Sequence, residues 1–283
     1  MTQLRWFITG CTSGLGEAFV RSILARGDKV VASARGDVSR LSSLKDAGAE
    51  VISLDVTSSP SDIQAAAAKV LKGGPIDVLV NNAGYIEAAL AEEASYDNYM
   101  SQFETNFFGV IKTTQAFLPH FRERKSGTIV FIGSSGGIAG EPGAAPYCGT
   151  KFALEGWHDC LKQETAHLGI KSVLFELGFF RTKIMHPENV RTFRAPGIAD
   201  YEHIRNMVGQ FVEGMNGHQP GDPKKAVEVI LDFVRAEGVA EGKMLPDRFP
   251  IGTDCLATLR KKCADTLVVC NEWEHVIRST DWE

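Results

Sequence analysis

Tyr147 and Lys151 stand four residues apart, so on a helix their side chains leave the same face. An unperturbed phenol titrates near 10, about three units too high for efficient proton transfer at neutral pH. An ammonium beside it favours the phenolate, and each unit of depression is worth about 1.4 kcal/mol. The pair therefore reads as an acid/base unit. The spacing alone is common by chance, and its weight comes from its neighbours. Ser134 sits just beyond an apolar run, at the end of a strand where an α/β sheet collects its ligands.

A second cluster lies near the start of the chain. Thr9-Gly10-Cys11-Thr12-Ser13-Gly14-Leu15-Gly16 follows one apolar run and opens a helical one. Glycines there let backbone N–H groups and a helix N-terminus approach a pyrophosphate. The next strand ends Ser33-Ala34-Arg35-Gly36, with Ala34 where an NAD-binding domain places a carboxylate for the ribose hydroxyls. Arg35 suits a 2′-phosphate instead, because a guanidinium offers paired charge-assisted donors. Asp37, two residues on, keeps the ribose-hydroxyl alternative open.

These residues need a scaffold. Apolar runs of strand length occur at 6–9, 29–34, 50–54, 78–81, 128–133 and 171–176, with helical patterns at 14–26, 61–72, 96–122 and 146–168 between them. Strands apolar on both faces, alternating with helices, predict a parallel sheet covered on both sides. Right-handed crossovers make it doubly wound, an α/β Rossmann fold. Residues 186–201 read as a loop, and Ile204, Met207, Val208, Phe211, Val212 and Met215 form an apolar stripe at helical spacing. Two further helices are read at 226–237 and 256–270. The chain reads as one Rossmann-type domain over 1–283: a core over 1–185, a helical substrate lid over 186–220 and C-terminal helices over 221–283.

Composition narrows the function. The 283 residues are 44% hydrophobic and 23% charged, with a net charge of −5 and no dense basic cluster, which argues against a nucleic-acid surface. The six cysteines form neither a CxxC pair nor a zinc-like pattern with histidine, so they read as reduced thiols and no metal is expected. A strand pattern that begins by Arg5 leaves no room for a leader, and no apolar run approaches the roughly 18 residues of a membrane helix. A cytoplasmic protein without a membrane span is expected.

Taken together, the sequence resembles the short-chain dehydrogenases/reductases. The resemblance runs over residues 4–185 and rests on Thr9–Gly16, Asp55-Val56, Asn81-Asn82-Ala83-Gly84, Asn106, Ser134, Tyr147-Cys148-Gly149-Thr150-Lys151 and Gly178 with Thr182. It implies a hydride transfer between NADP(H) and a carbonyl or alcohol. Tyr147 would be the general acid in reduction and Lys151 a ligand of the nicotinamide ribose. Ser134, thirteen residues before Tyr147, would bond the substrate oxygen, with Ser135 as its rival, and Asn106 would anchor a water linking Lys151 to solvent. Besides Arg35, read above as a phosphate ligand, and Tyr147 and Lys151, the resemblance assigns the cofactor to Gly10, Thr12, Ser13, Gly14, Leu15, Gly16, Asp55, Val56, Asn82, Ala83, Gly84, Gly178, Phe180 and Thr182. Leu177-Gly178 departs from the family's Pro-Gly, and losing the ring frees that backbone. The tail, through Gly221-Asp222-Pro223 and residues 245–254, is similar to the retinol and 17β-hydroxysteroid dehydrogenase branch, which implies a lipophilic small-molecule substrate. A non-redox enzyme on the same scaffold (cyclase, isomerase or dehydratase) is the alternative, and a cofactor-sensing regulator a third. The complete Asn106–Ser134–Tyr147–Lys151 set favours redox chemistry, and a homo-oligomer is left open.

Met185, Phe193 and the 204–215 stripe suggest a cap over an apolar pocket, although packing on the core is the plainer account of such a stripe. Glu141 reads as a solvated loop carboxylate, His158 and His167 as surface or core histidines, and Cys11 and Cys148 as unreactive thiols.

Overall fold

The computed structural model describes residues 2–186, the backbone of 190–191, and 197–282. Phe193 lies outside the described residues, as does much of the loop read at 186–201. Seven parallel strands form one sheet: β1 (Arg5–Ile8), β2 (Lys29–Ala34), β3 (Glu50–Ser53), β4 (Val78–Asn81), β6 (Gly127–Ile132), β7 (Ile170–Leu177) and β9 (Arg248–Ile251). They lie in the order β3-β2-β1-β4-β6-β7-β9. A separate two-residue pair joins β5 (Ile86–Glu87) to β8 (Val190–Arg191). The doubly wound prediction holds, with boundaries shifted by a residue or so.

Alternate residues of each strand feed opposite cores. Trp6, Ile8, Val80, Val130 and Phe175 face α1 (Gly14–Ala25) and α8 (Pro223–Arg235). Phe7, Leu79, Ile129, Phe131 and Leu174 face α3 (Pro60–Lys72), α5 (Gly109–Arg124) and α6 (Ala145–Thr165). Phe7 meets Phe117 of α5 at 4.9 Å between ring centroids, and Phe175 meets Phe233 of α8 at 5.6 Å. Burial on both faces is why these strands carry near-continuous apolar runs.

The sequence predicts one helix over 96–122, and the structure divides it. Helix α4 (Tyr96–Phe103) passes through one π turn, Glu104–Phe108, before α5. A π turn inserts a residue without ending the helix, and such turns gather at functional sites. The turn carries Asn106. Strand β9 went unread because Arg248-Phe249-Pro250-Ile251 is short and holds a proline, which a strand tolerates at the sheet edge, where β9 lies. Among the described residues no helix is long and apolar enough to cross a membrane. The remaining helices are α2 (Ser42–Asp46), α7 (Glu202–Met215), α9 (Thr253–Glu272) and α10 (Glu274–Arg278).

Candidate active site

Sheet order reverses between β1 and β4, and the loops leaving those two strands open one crevice at the carboxyl edge. Gly10 has φ +73°, and a Cβ there would stand 2.8 Å from the Cα of Ala83, so the two loops touch backbone to backbone. Thr9 ties them. Its Oγ1 accepts from the N–H groups of Asn82 and Ala83, each at 3.0 Å, while Asn82 Nδ2 donates to the carbonyls of Thr9 (2.8 Å) and Gly10 (3.0 Å). Helix α1 begins beyond this turn, and its N-cap Ser13 makes no side-chain cap. The first N–H groups of α1 are thus left to a ligand, on a backbone shaped to approach a pyrophosphate.

The crevice widens into a cavity of about 700 Å³. All of the residues assigned to cofactor or catalysis from the sequence line it: Gly10, Thr12, Ser13, Gly14, Leu15, Gly16, Arg35, Asp55, Val56, Asn82, Ala83, Gly84, Asn106, Ser134, Tyr147, Lys151, Gly178, Phe180 and Thr182. Ser135 lines it too.

Arg35 and Arg40 mark one end. Arg40 was missed from sequence. It lies in a short turn, Val38–Leu41, capped by Asp37, whose carboxylate accepts from Ser39 N (2.8 Å) and Ser39 Oγ (2.6 Å). That cap engages the carboxylate that had been the rival for the ribose, and Asp37 is not among the cavity's lining residues. The Asp-x-Ser-Arg spacing was the available signal. Asp55 spends one carboxylate oxygen on its own turn, accepting from Thr57 N at 2.9 Å.

At the centre, Lys151 is buried and its Nζ donates to the Ile132 carbonyl at 2.6 Å, 5.7 Å from the centroid of the Tyr147 ring. Desolvation lowers Lys151 to about 8 and raises Tyr147 to about 12, against a hydrogen bond with Ser134 that works the other way. The expected acidification of the phenol by its neighbour is therefore reversed in this groove. Burial penalises both charged forms, and Lys151 is held by a backbone carbonyl. Tyr147 keeps its proton at neutral pH, the state of a proton donor. Ser134 Oγ accepts from Gly136 N at 3.1 Å, leaving its O–H to donate toward Tyr147 or a substrate oxygen, which favours it over Ser135. Asn106 is buried and clamps Tyr85, with Nδ2 donating to its carbonyl at 3.0 Å and Oδ1 accepting from its N–H at 3.1 Å.

The loop after β7 is fastened rather than freed. Gly178 N donates to Ile251 O (2.9 Å), Phe179 N to Asp254 Oδ2 (2.6 Å), and a Cβ on Gly178 would collide with the Asp254 carboxylate. Thr182 caps the turn that follows, accepting from Ile184 N at 3.3 Å.

The far end is apolar. Phe179, Ile184, Met185, Met207, Val208, Phe211 and Val212 line it, so the 204–215 stripe faces the cavity as well as packing. Only Val208 of α7 is buried. Phe211 packs edge-on against Phe179 at 5.5 Å, and Arg205 pairs with Glu93 to hold the helix down. Glu141 also lines the cavity, its carboxyl raised by burial and by Asp254, where sequence had suggested a solvated position. His158 is fully buried, with both ring nitrogens lacking a side-chain hydrogen-bond partner, and is lowered to about 4. Cys11 is buried and raised to about 12, and burial also raises Cys148, so both favour the thiol. No cluster among the described residues could hold a metal ion.

A family model described as short chain dehydrogenase matches residues 5–192. Oxidoreductase BOA17 of Botryotinia fuckeliana is 34% identical over 278 residues, covering 96% of each chain. A 3-ketodihydrosphingosine reductase of Bacteroides thetaiotaomicron is 33% identical over 183 residues, 65% of this chain and 66% of that protein. The crystal structure of a short-chain dehydrogenase from Streptomyces avermitilis superposes over 100% of both chains with a TM-score of 0.87 at 35% identity. The chain belongs to the short-chain dehydrogenase/reductase family of oxidoreductases.

Proposed function

We propose that the chain is an NADP(H)-dependent carbonyl reductase acting on a lipophilic ketone or aldehyde, working as one Rossmann-type unit. The observation that carries this reading is the continuity of the cavity. Two guanidinium groups stand at one end, the Ser134–Tyr147–Lys151 group in the middle, and an aromatic and methionine wall at the other. Arg35 and Arg40 suit a 2′-phosphate, which NAD lacks. The uncapped start of α1 and the close approach of Gly10 to Ala83 suit a pyrophosphate. The apolar end suits an aliphatic or ring substrate, and the Bacteroides relative is named a 3-ketodihydrosphingosine reductase.

NADPH held by the Gly10–Gly16 turn and Arg35 would supply the hydride for the carbonyl carbon. Tyr147 Oη gives its proton to the carbonyl oxygen, completing the alcohol, and Ser134 Oγ donates a hydrogen bond to that same oxygen. Lys151 lies behind the phenol, its position set by the Ile132 carbonyl. A phenol held protonated by burial favours the reductive direction.

The test is NADPH oxidation screened over lipophilic ketones and aldehydes, with Tyr147→Phe alongside. Tyr147→Phe is expected to lower kcat by at least about 100-fold while leaving NADPH affinity within about twofold. Retained turnover in that variant sinks the acid/base role. Tight NADPH binding with a blank screen moves the reading to non-redox chemistry. Arg35→Asp with Arg40→Ser is expected to lower the NADPH:NADH ratio of kcat/KM by at least about tenfold, and an unchanged ratio refutes the phosphate clamp.

A further inference from the structure

The C-terminal helices leave the body of the protein. Cys255 is fully buried and Asp254 accepts from Phe179 N, so the root of α9 is fixed beside the active site. From Leu256 to Trp282 no described residue is buried. Helix α9 has 20 residues, a rise of about 30 Å, and α10 continues it after a break at Trp273 alone. This arm displays Leu267 at 61% exposure, Trp273 at 54% and Ile277 at 52%. An isolated helix of this length is marginal in water and gains its stability from packing an apolar face. Nothing in the described body covers that face.

The pattern on the arm says what does. Leu259, Cys263, Thr266, Cys270, Trp273 and Ile277 recur at alternating steps of four and three, the seam of a helix that pairs with another helix. Charge is biased along it, with Arg260, Lys261 and Lys262 outweighing Asp254 and Asp265 near the root, and Glu272, Glu274, Asp281 and Glu283 outweighing Arg278 near the tip. Exposed pairs within one helix, Lys261–Asp265 and Arg278–Glu274, satisfy part of this at little energetic gain. A second arm laid parallel would set basic root against basic root. Laid antiparallel, it places Leu259 opposite Ile277 and Cys263 opposite Trp273, with Arg260 on the same flank as Glu274. One surface meeting itself with its charge reversed is the requirement of a two-fold axis. An anionic lipid surface is a poorer match, because residues 253–283 hold Asp254, Asp265, Glu272, Glu274, Asp281 and Glu283 against only Arg260, Lys261, Lys262 and Arg278.

We propose that this arm is the docking element for a second copy of the chain, the two arms pairing antiparallel about a two-fold axis. The inference rests on the arm and does not depend on which substrate or cofactor the cavity takes.

The full-length chain is examined by sedimentation at micromolar concentration. Wild type is expected to be dimeric or a multiple of that, and Trp273→Arg with Ile277→Asp to halve the mass, with self-association weakened at least tenfold. Both positions are exposed, and an unchanged thermal transition of the cavity-bearing body shows that the variant folds. Arg260→Glu is expected to weaken association, and Arg260→Glu with Glu274→Arg to restore it. A wild-type monomer overturns the proposal, as does a monomer that floats with phosphatidylcholine/phosphatidylserine vesicles. So does an assembly indifferent to the arm substitutions but broken by Phe152→Asp on α6, where the ring is 44% exposed.

Discussion

The two ends of the cavity are built by different physics. At the dinucleotide end, position comes from backbone. Thr9, Asn82 and Ala83 are locked by reciprocal hydrogen bonds, and Asn106 clamps Tyr85 from a π turn. At the substrate end, position comes from half-exposed side chains. Met207 and Phe211 of α7 are each 44% exposed, and the helix is held by buried Val208, by Val212 and Met215 against Met185, by the Phe211–Phe179 contact and by the Arg205–Glu93 pair. Removing a buried hydrogen-bond partner costs folding energy, whereas trimming an exposed aromatic costs a ligand its contact. The first end should therefore be stiff and intolerant, the second tolerant and tunable.

Thr9→Val is the largest expected break. Valine keeps the shape but leaves the N–H groups of Asn82 and Ala83 without their acceptor, at about 1–3 kcal/mol each. Urea unfolding is expected to show a loss of about 2–6 kcal/mol, with dinucleotide affinity falling in parallel. A variant as stable as wild type would mean that the junction is not held as described.

Gly178→Ala comes next. The new methyl meets the Asp254 carboxylate, an overpacking expected to cost about 1–3 kcal/mol and to raise the KM for cofactor as the Phe179 N–H bond to Asp254 is displaced. Adding Asp254→Ala removes the collision. Recovery of stability in the double variant, without recovery of KM, separates the steric cost from the loss of the tether. Additive losses would sink the contact.

The same division explains what could be read from the sequence. Six of the seven main strands were legible because burial on both faces writes an apolar run into the chain, and β9 was not, with Pro250 in four residues. Residues whose role is local, such as Gly10 in its turn or Lys151 one helical turn after Tyr147, announce themselves by spacing. The π turn at Asn106 leaves no trace in hydrophobic period. Arg40 lines the cavity from within a short turn that Asp37 caps, which no periodicity marks. The upward shift of Tyr147 follows from burial in a groove lined by stretches of chain from Gly10 to Val212, which spacing cannot express.

At the tolerant end, Phe211→Ala is expected to leave stability within about 0.5 kcal/mol. It should raise the KM for a bulky ketone about five- to tenfold, the worth of one aromatic contact of about 1–1.5 kcal/mol, without moving the KM for NADPH. Steady-state kinetics in both substrates measure it. A change in the NADPH constant would join the two ends that the comparison separates.

A pH titration tests whether the body behind the site is pH-sensitive. Glu155, one turn after Lys151, is buried and bonded to Arg248 at 2.6 Å, yet burial, Glu176 and Asp159 raise it from 4.5 to about 7 against the pull of Arg248 and Lys151. A carboxyl raised on folding binds more protons folded than unfolded between those values, so its contribution to stability is present below about 4.5 and is lost as pH rises through 7. His158, lowered to about 4, acts oppositely: neutral in the fold, it adds stability as pH climbs from 4 to 6.5. Glu155→Gln deletes the first contribution and leaves the second. The stability difference between variant and wild type should therefore move in the variant's favour by about 2 kcal/mol between pH 5 and pH 8. A difference that stays flat across that range would show that Arg248 keeps Glu155 ionised throughout, making the site's supporting wall an ordinary ion pair.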